Sequence, residues 1–319
     1  MSSSRPKKFD VVVLGGINTD YIIRGDDLPR PGQTIEGDSF QVHPGGKGAN
    51  QAVAAARLGA EVAFIGRVGV DERGTEMLKT LKEEGIDVQH VTQDKRAPTG
   101  AAIIAIDKLG EKQISAAPGA NQTMNARQVR AAADLIASAK VLLMQFESPM
   151  DCVCLAARIA RKHGVKIVLD PAPARRVPKE LFYSLDVIRP NSDEAEQITG
   201  RKVHTRDDAK RAARALLKKG VRIVAIEAGD GGDLIATEEE EIYLPRLRVK
   251  TVDATGAGDA FAGAFAVGLA EELPLRQIGR LANATAALST TKIGAQEALP
   301  KRKAVEQLIG KLSTALKKN

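Results

Sequence analysis

Tryptophan is missing from this chain, and aromatic residues of every kind amount to 3% of its 319 positions. Its interior must therefore be built from aliphatic side chains. The stacking platforms on which proteins hold single-stranded nucleic acid are also scarce. Cysteine is nearly absent: Cys152 and Cys154 are the only two, and with no histidine spaced to join them they make no zinc site. Two positions apart on an expected helix, they point in different directions and read as reduced, buried or half-buried thiols. The four histidines, His43, His90, His163 and His204, are scattered without ligand spacing. No apolar run reaches the length of a membrane span, and the polar, basic start Met1–Lys8 lacks the apolar stretch of a signal peptide. These shortages lead to the expectation of a cytoplasmic enzyme with neither membrane nor nucleic acid as partner.

Neither sign of charge dominates. There are 47 basic and 40 acidic residues, a net charge of +7, spread along stretches such as Lys210–Lys219 and Lys311–Lys318. Interleaved charge of this kind marks solvated helix faces, and no nucleic-acid recognition motif accompanies it. A mild positive field does suit an anionic nucleotide as substrate.

What is present is alternation, on a hydrophobic content of 43% that allows a substantial core. Short apolar runs at Val11–Leu14, Val62–Ile65, Val141–Met144, Lys166–Leu169, Val187–Ile188 and Arg222–Ile226 read as strands. Helical patterns at Lys47–Leu58, Thr75–Glu84, Ala126–Ser138, Cys152–His163, Asp207–Lys219, Gly258–Leu269, Leu275–Ser289 and Arg302–Leu316 lie between and after them. The expected fold is α/β: a three-layer, doubly wound, mostly parallel sheet with helices on both faces. Residues 17–43 and 98–117 depart from the alternation, with Gln33–Val42 and Gly100–Asp107 as the clearest strand candidates. They predict a small β-sheet lid on a single domain spanning 1–319. Lids of transferases exclude the water that would compete as phosphate acceptor. Glu238–Glu241 reads as a solvated turn between two late strands.

The most informative stretch is Asp253-Ala-Thr-Gly-Ala-Gly-Asp259-Ala-Phe-Ala-Gly263. Gly256 and Gly258 permit a tight turn and close backbone approach to a ligand. The helix that follows offers free N–H groups and the positive end of its dipole to an anion. Asp259 sits where those amides converge, placed to bind a cation or to take a proton from a hydroxyl beside a phosphate. Standing alone, an acidic residue there is as often simple dipole compensation. Two other nucleotide motifs fail on spacing. Counted from Gly256 as the first, the sixth position is Phe261 rather than the glycine of a dinucleotide fingerprint. The run Gly45-Gly46-Lys47-Gly48 has no Ser or Thr after its lysine, and Gln41 stands where the first P-loop glycine belongs.

Several polar groups suit a small polyol, whose hydroxyls both donate and accept. Asn18 and Asp20 follow the first strand, Gly45–Asn50 opens a helix, and Glu147 follows Val141–Met144. Any one of them alone is more often a cap or turn residue.

With these residues in view, the chain resembles the ribokinase-like, phosphofructokinase-B type family of sugar and nucleoside kinases, over about Val11 to Leu308. Both signatures of that family are present, as Gly45-Gly-Lys-Gly-Ala-Asn-Gln-Ala52 and Asp253–Ala264. Gly16-Ile-Asn-Thr-Asp20, Leu142–Pro149 and Pro171-Ala-Pro-Ala-Arg175 extend the likeness. The resemblance implies an ATP-dependent kinase acting on the O5 hydroxyl of D-ribose. It implies Asp259 as general base, with the amides around Gly256, Ala257 and Gly258 as the anion hole. Asn18, Asp20, Gly46, Lys47, Asn50 and Glu147 would hold the sugar. Asn191 and Glu194 would act near Mg²⁺ and the phosphates, Glu194 indirectly on the metal. Glu227, Gly229 and Gly232, with Gly258 and Asn283, would surround ATP. Asp253, Thr255, Ser289, Lys292, Gly294 and Ala298 would bind an activating K⁺, partly through backbone carbonyls. Relatives pair their lids, so a homodimer is expected.

Two departures stand out. Glu227 replaces a Thr common among relatives, and a carboxylate near ATP needs a cation or solvent to face. Ala298 lies where some relatives have a hydroxyl. Two rival readings remain: a kinase for another sugar, nucleoside or small acceptor, and a non-catalytic sugar- or nucleotide-binding protein.

Overall fold

The structure, a computed structural model, describes residues 8–229 and 231–316. Its strands are β1 (Phe9–Leu14), β2 (Asn18–Arg24), β3 (Ser39–Gly45), β4 (Val62–Gly69), β5 (Asp87–Asp94), β6 (Gly100–Ile106), β7 (Lys112–Ala117), β8 (Ala139–Met144), β9 (Lys166–Leu169), β10 (Val187–Ile188), β11 (Ile223–Glu227), β12 (Gly232–Ala236) and β13 (Glu241–Pro245). Nine of them form one sheet in the order β13-β12-β11-β10-β9-β8-β1-β4-β5. All its pairings from β11 to β5 are parallel, and β12 and β13 close the far edge antiparallel. The chain leaves β1 toward β4 and β5, then resumes on the other side at β8. That reversal opens a crevice beyond the carboxyl ends of the strands, where such sheets bind ligands.

The pleat of β1 sorts the interior. Val12 and Leu14 enter one core, with residues of the helices Met150–Lys162 and Arg206–Leu217. Val11 and Val13 enter the other, with the helices Lys47–Arg57, Ala257–Ala270 and Leu275–Ser289. Successive side chains of a strand point to opposite faces, so a wholly apolar strand needs a helical layer on each side. The helix Ala257–Ala270 is buried all round from Asp259 onward. It packs so closely on Lys47–Arg57 that a Cβ at Gly263 would stand 2.7 Å from the Gln51 carbonyl oxygen. This contact of small residues sets Asn50 and Gln51 beside Asp259.

The second sheet has the order β3-β2-β6-β7. Residues paired across its strands share a face. One face carries Asn18, Asp20, Ile22 and Arg24 on β2, His43 on β3, and Lys112 on β7. Ile22, Ala102, Ile104 and Ile106 form a small buried cluster there. The opposite face exposes Ile23, Phe40, Val42 and Ile103.

Two local expectations need correction, and one strand was not expected. The helix expected at Ala126–Ser138 is two, Ala126–Ala131 and Ala133–Ala137, broken at Ala132. The strand expected at Gln33–Val42 begins only at Ser39, because its partner β2 ends opposite that residue at Arg24. The strand β5, Asp-Val-Gln-His-Val-Thr-Gln-Asp, gives no apolar signal because it lies at the sheet edge, half-exposed. Among the described residues no helix is long and apolar enough to cross a membrane.

Candidate active site

The turn after Asp253 ends in Gly256, which has φ 78° and precedes the helix Ala257–Ala270; no side chain caps that helix. Ala257 N turns back to the Ala254 carbonyl at 3.3 Å, which leaves the next N–H groups, those of Gly258 and Asp259, to face an anion. Asp259, in the first turn, is 5% exposed. Asn50 Nδ2 donates to Asp259 Oδ2 at 2.9 Å, and Gln51 Nε2 donates to Oδ1 at 3.0 Å. Gln51 Nε2 also reaches Asp170 Oδ2 at 2.7 Å, and Gln145 Nε2 donates to Gln51 Oε1 at 2.5 Å. Sequence reasoning assigns no role to Gln51, Gln145 or Asp170. Gln51 lies inside a family signature, whereas nothing local marks the other two as its partners.

On one side of Asp259 lies the polar cluster. Asn18 Nδ2 donates to Glu147 Oε1 at 3.3 Å, and the Lys47 amide donates to Glu147 Oε2 at 2.7 Å. Asn121, not expected from sequence, donates to Asn18 Oδ1 at 2.8 Å. Gly46, with φ 89°, could carry no side chain: a Cβ would stand 2.7 Å from the Asn18 amide nitrogen. The Asp20 carboxyl lies over Gly45, within 2.3 Å of where a Cβ would be. Burial, and then the charge of Asp259, pushes the Asp20 carboxyl up to about 6. Burial likewise pushes Glu147 up to about 7, although the Lys47 cation pulls the other way. Burial works against the Lys47 ammonium too, but Asp259, Asp170, Glu147 and Glu194 more than offset it and raise its pKa.

On the other side is a cavity of ≈ 380 Å³ whose walls include Lys47, Asp170, Arg189, Asn191, Glu194, Glu227, Gly232, Gly258 and Asn283. Asn191 and Glu194 form a reciprocal cap of the helix Ser192–Thr199, with Asn191 N donating to Glu194 Oε2 at 2.9 Å. The Asn283 amide donates to the Pro245 carbonyl at 2.9 Å, tying the cavity wall to β13. Glu227 finds its cation in Arg246, at 3.9 Å. Gly229 is not a wall residue: a Cβ there would meet the His204 carbonyl oxygen at 2.5 Å, which makes it a packing position.

Arg189 is the residue that sequence reasoning misses most clearly. It is buried, its Nε has no hydrogen-bond partner, and its guanidinium lies 5.0 Å over the Phe261 ring. Its Nη1 would be 3.0 Å from a Cβ on Gly258, so it stands directly beside the helix start. Its nearest carboxylate, Asp233, is 3.8 Å away. A buried, incompletely bonded guanidinium aimed into a cavity is a ready partner for phosphate.

The donor set also suits Mg²⁺, which keeps most of its waters and takes one or two carboxylates plus substrate phosphates. Asp170 and Glu194 face the same cavity. The six residues expected around K⁺ fit less well. Asp253 Oδ1 accepts from Thr255 N at 3.0 Å and from the ammonium of Lys112 at 2.9 Å; Oδ2 accepts from Gly294 N at 3.3 Å. The Ser289 hydroxyl turns back to the Ala286 carbonyl at 2.8 Å, the Lys292 side chain is exposed, and Ala298 is buried with no side-chain oxygen, so Lys292 and Ala298 could offer a cation only their backbone carbonyls. The carboxylate is thus already matched with a cation from the protein itself.

A carboxylate held between a cluster of polar side chains and a cavity lined by Lys47 and Arg189 suits the transfer of a phosphoryl group to a small molecule. The chain belongs to the pfkB family of carbohydrate kinases, which it matches over residues 8–302. It is 42% identical to the ribokinase of Haemophilus influenzae over 292 residues, covering 92% of this chain and 95% of that protein. It is 38% identical to the ribokinase of Mus musculus, covering 92% of each. The structure of Arabidopsis thaliana ribokinase complexed with ribose and ATP superposes with a TM-score of 0.86 at 31% identity, covering 94% of this chain and 98% of that one.

Proposed function

We propose that this carbohydrate kinase transfers the γ-phosphoryl group of ATP to the O5 hydroxyl of D-ribose, with Asp259 as general base. The observation that carries this reading is the position of Asp259, buried at an uncapped helix start between the polar cluster and the cavity. The relatives named ribokinase support ribose as the acceptor.

In the proposed reaction, Asn18, Asp20, Lys47, Asn50 and Glu147, with the backbone at Gly46, hold the sugar hydroxyls. ATP lies in the cavity against Asn191, Glu194, Glu227, Gly232 and Asn283. Arg189 and the amides of Gly256, Ala257 and Gly258 face its terminal phosphates. The O5 oxygen forms a bond to the γ-phosphorus as the bond from that phosphorus to the ADP oxygen breaks. The hydroxyl proton passes to the Asp259 carboxylate. Asn50 and Gln51 fix that carboxylate with neutral amide donors, which orient it without occupying it by a cation. Mg²⁺, held beside Glu194 and Asp170, would neutralise charge on the phosphates. In-line positioning and preorganised donors supply most of the acceleration in such transfers.

The small sheet serves in this reading as the lid over the sugar, because its inner face presents Asn18 and Asp20 to the site. Its outer face, with Phe40 62% and Ile103 58% exposed, supports a homodimer formed through the lids. Sedimentation at micromolar concentration should then give a dimer, and a concentration-independent monomer would refute that part.

The test of the main reading is ADP release with MgATP and D-ribose, against ribose-free and Asp259→Asn controls. Ribose-dependent turnover that disappears in the variant is the expected result. Turnover that survives in Asp259→Asn removes the base assignment. Folded, ATP-binding protein that ignores ribose removes the acceptor.

A further inference from the structure

Two cations on the inner face of the small sheet converge on one carboxylate outside the reacting centre. The register sets Arg24 opposite Ile106, and Ile106 opposite Lys112, at one end of that sheet. That end meets the turn leading into the helix Ala257–Ala270. Lys112 Nζ donates to Asp253 Oδ1 at 2.9 Å and also to the Thr255 hydroxyl. Arg24 Nη2 stands 3.5 Å from Asp253 Oδ2. Each oxygen of the carboxylate therefore faces one positive charge as well as the backbone donors of Thr255 and Gly294. Asp253 is only 3% exposed at its side chain, which sets this contact apart from an ordinary surface ion pair. A free cation at the same oxygens would lie within hydrogen-bond reach of like charge.

We propose that Lys112 is a positioning residue that works as a tethered monovalent cation: with the small sheet over the site, its ammonium binds Asp253 and Thr255 and orders the turn carrying the amides of Gly256–Gly258. This inference rests on the phosphotransferase reading above. An ammonium is a compact point charge with three donors, so it can supply what a bound potassium ion would supply to a carboxylate and a hydroxyl. Because Lys112 belongs to the lid, the cation arrives only when the lid is down. Ordering of the anion hole is thereby tied to closure over the sugar, and potassium in solution becomes unnecessary. The chain would then depart from the potassium activation that its family resemblance implies.

The experiment compares full-length wild type, Lys112→Ala and Lys112→Arg in tetramethylammonium, sodium, potassium and ammonium chlorides at constant ionic strength. Steady-state turnover and melting temperature are read in each salt. Wild-type kcat should vary by no more than about twofold, whereas Lys112→Ala in tetramethylammonium should lose about tenfold in kcat with a smaller change in the KM for ribose. Potassium or ammonium should restore that loss and raise the variant's melting temperature, while leaving that of wild type unchanged. Lys112→Arg should keep most of the activity without added potassium. Potassium stimulation of wild type by about fivefold or more would overturn the proposal. So would a Lys112→Ala variant that is unimpaired in every salt, or one that is impaired and unrescued by potassium. The melting temperatures need no turnover, so absence of ribose phosphorylation would count against the acceptor and leave the cation test standing.

Discussion

Two aspartates six positions apart bound the same turn, and the folded chain treats them in opposite ways. Asp253 accepts from the Thr255 amide and hydroxyl, the Lys112 ammonium and the Gly294 amide, with Arg24 close by. Burial alone would raise its pKa, but the hydrogen bonds from Thr255 and Lys112 outweigh that and hold its carboxyl well below the usual carboxylate range. Asp259 accepts from two neutral amides, Asn50 and Gln51. A carboxylate saturated by cations is a fastener, because taking up a proton would break several strong contacts at once. A carboxylate held by amides keeps its orientation and remains able to accept a proton. In the proposed reaction the turn thus carries a fixed end and a reactive end, with the amides of the helix start between them.

The strongest way to test this contrast is to neutralise each aspartate in turn. Asp259→Asn should lose roughly 10²- to 10⁴-fold in kcat, the usual contribution of a positioned base, with its melting temperature close to that of wild type. An Asp259→Asn enzyme with near-normal kcat would erase the distinction. Next in size comes Arg189, the buried cation on the cavity side of the reactive end. Arg189→Gln removes charge-assisted contacts worth about 1.5–3 kcal/mol, or roughly 10- to 150-fold in kcat/KM for ATP. The kcat/KM for ribose, measured at saturating ATP, should change much less; equal losses for both substrates would place Arg189 elsewhere.

A pH profile separates the two ends without mutation. Glu147 titrates near 7 and Asp20 near 6, both raised by burial. Each accepts hydrogen bonds from the sugar hydroxyls best as an ionised carboxylate. The kcat/KM for ribose should therefore approach its full value above about pH 8 and fall as pH drops through 7 and then 6, by up to about tenfold per unit on each step. Asp253, held low, contributes nothing in that window. Glu147→Gln should remove the upper step, and a flat profile between about pH 5.5 and 8 would show that neither group titrates as described. The smallest effect on turnover should come from Asp253→Asn, about tenfold in kcat, the same loss as removing its partner Lys112. It leaves Lys112 and Arg24 without their carboxylate, so it should also cost about 2 kcal/mol of stability, a fall of roughly 4 °C in melting temperature. A larger loss of kcat than Asp259→Asn would reverse the assignment of the two ends.

Much of the architecture is legible in the amino-acid sequence. Apolar runs such as Val11–Leu14 and Val141–Met144 could only be strands covered on both faces, and they are the centre of the sheet. The glycine turn and the helix start at Asp259 follow from local rules alone. What escapes is whatever lacks a local signal. The strand β5 is polar because an edge position demands no apolar run. Arg189 sits between a strand end and Pro190, and nothing near it in sequence says that its guanidinium is buried under Gly258. The tie between Lys112 and Asp253 spans 141 positions, and Gln145 reaches Gln51 across 94.

The sequence by itself determined the layers, the crevice at the strand ends, the glycine turn and the place of Asp259 at a helix start, since each rests on periodicity, turn chemistry or a helix terminus acting over a few residues. Only the tertiary structure decided which partners each carboxylate receives. Those partners are set by sheet register and by the close packing of the helices Lys47–Arg57 and Ala257–Ala270 at Gly263. A pairing between residues far apart along the chain has no local energy to announce it, and it exists only once the core has brought its elements together.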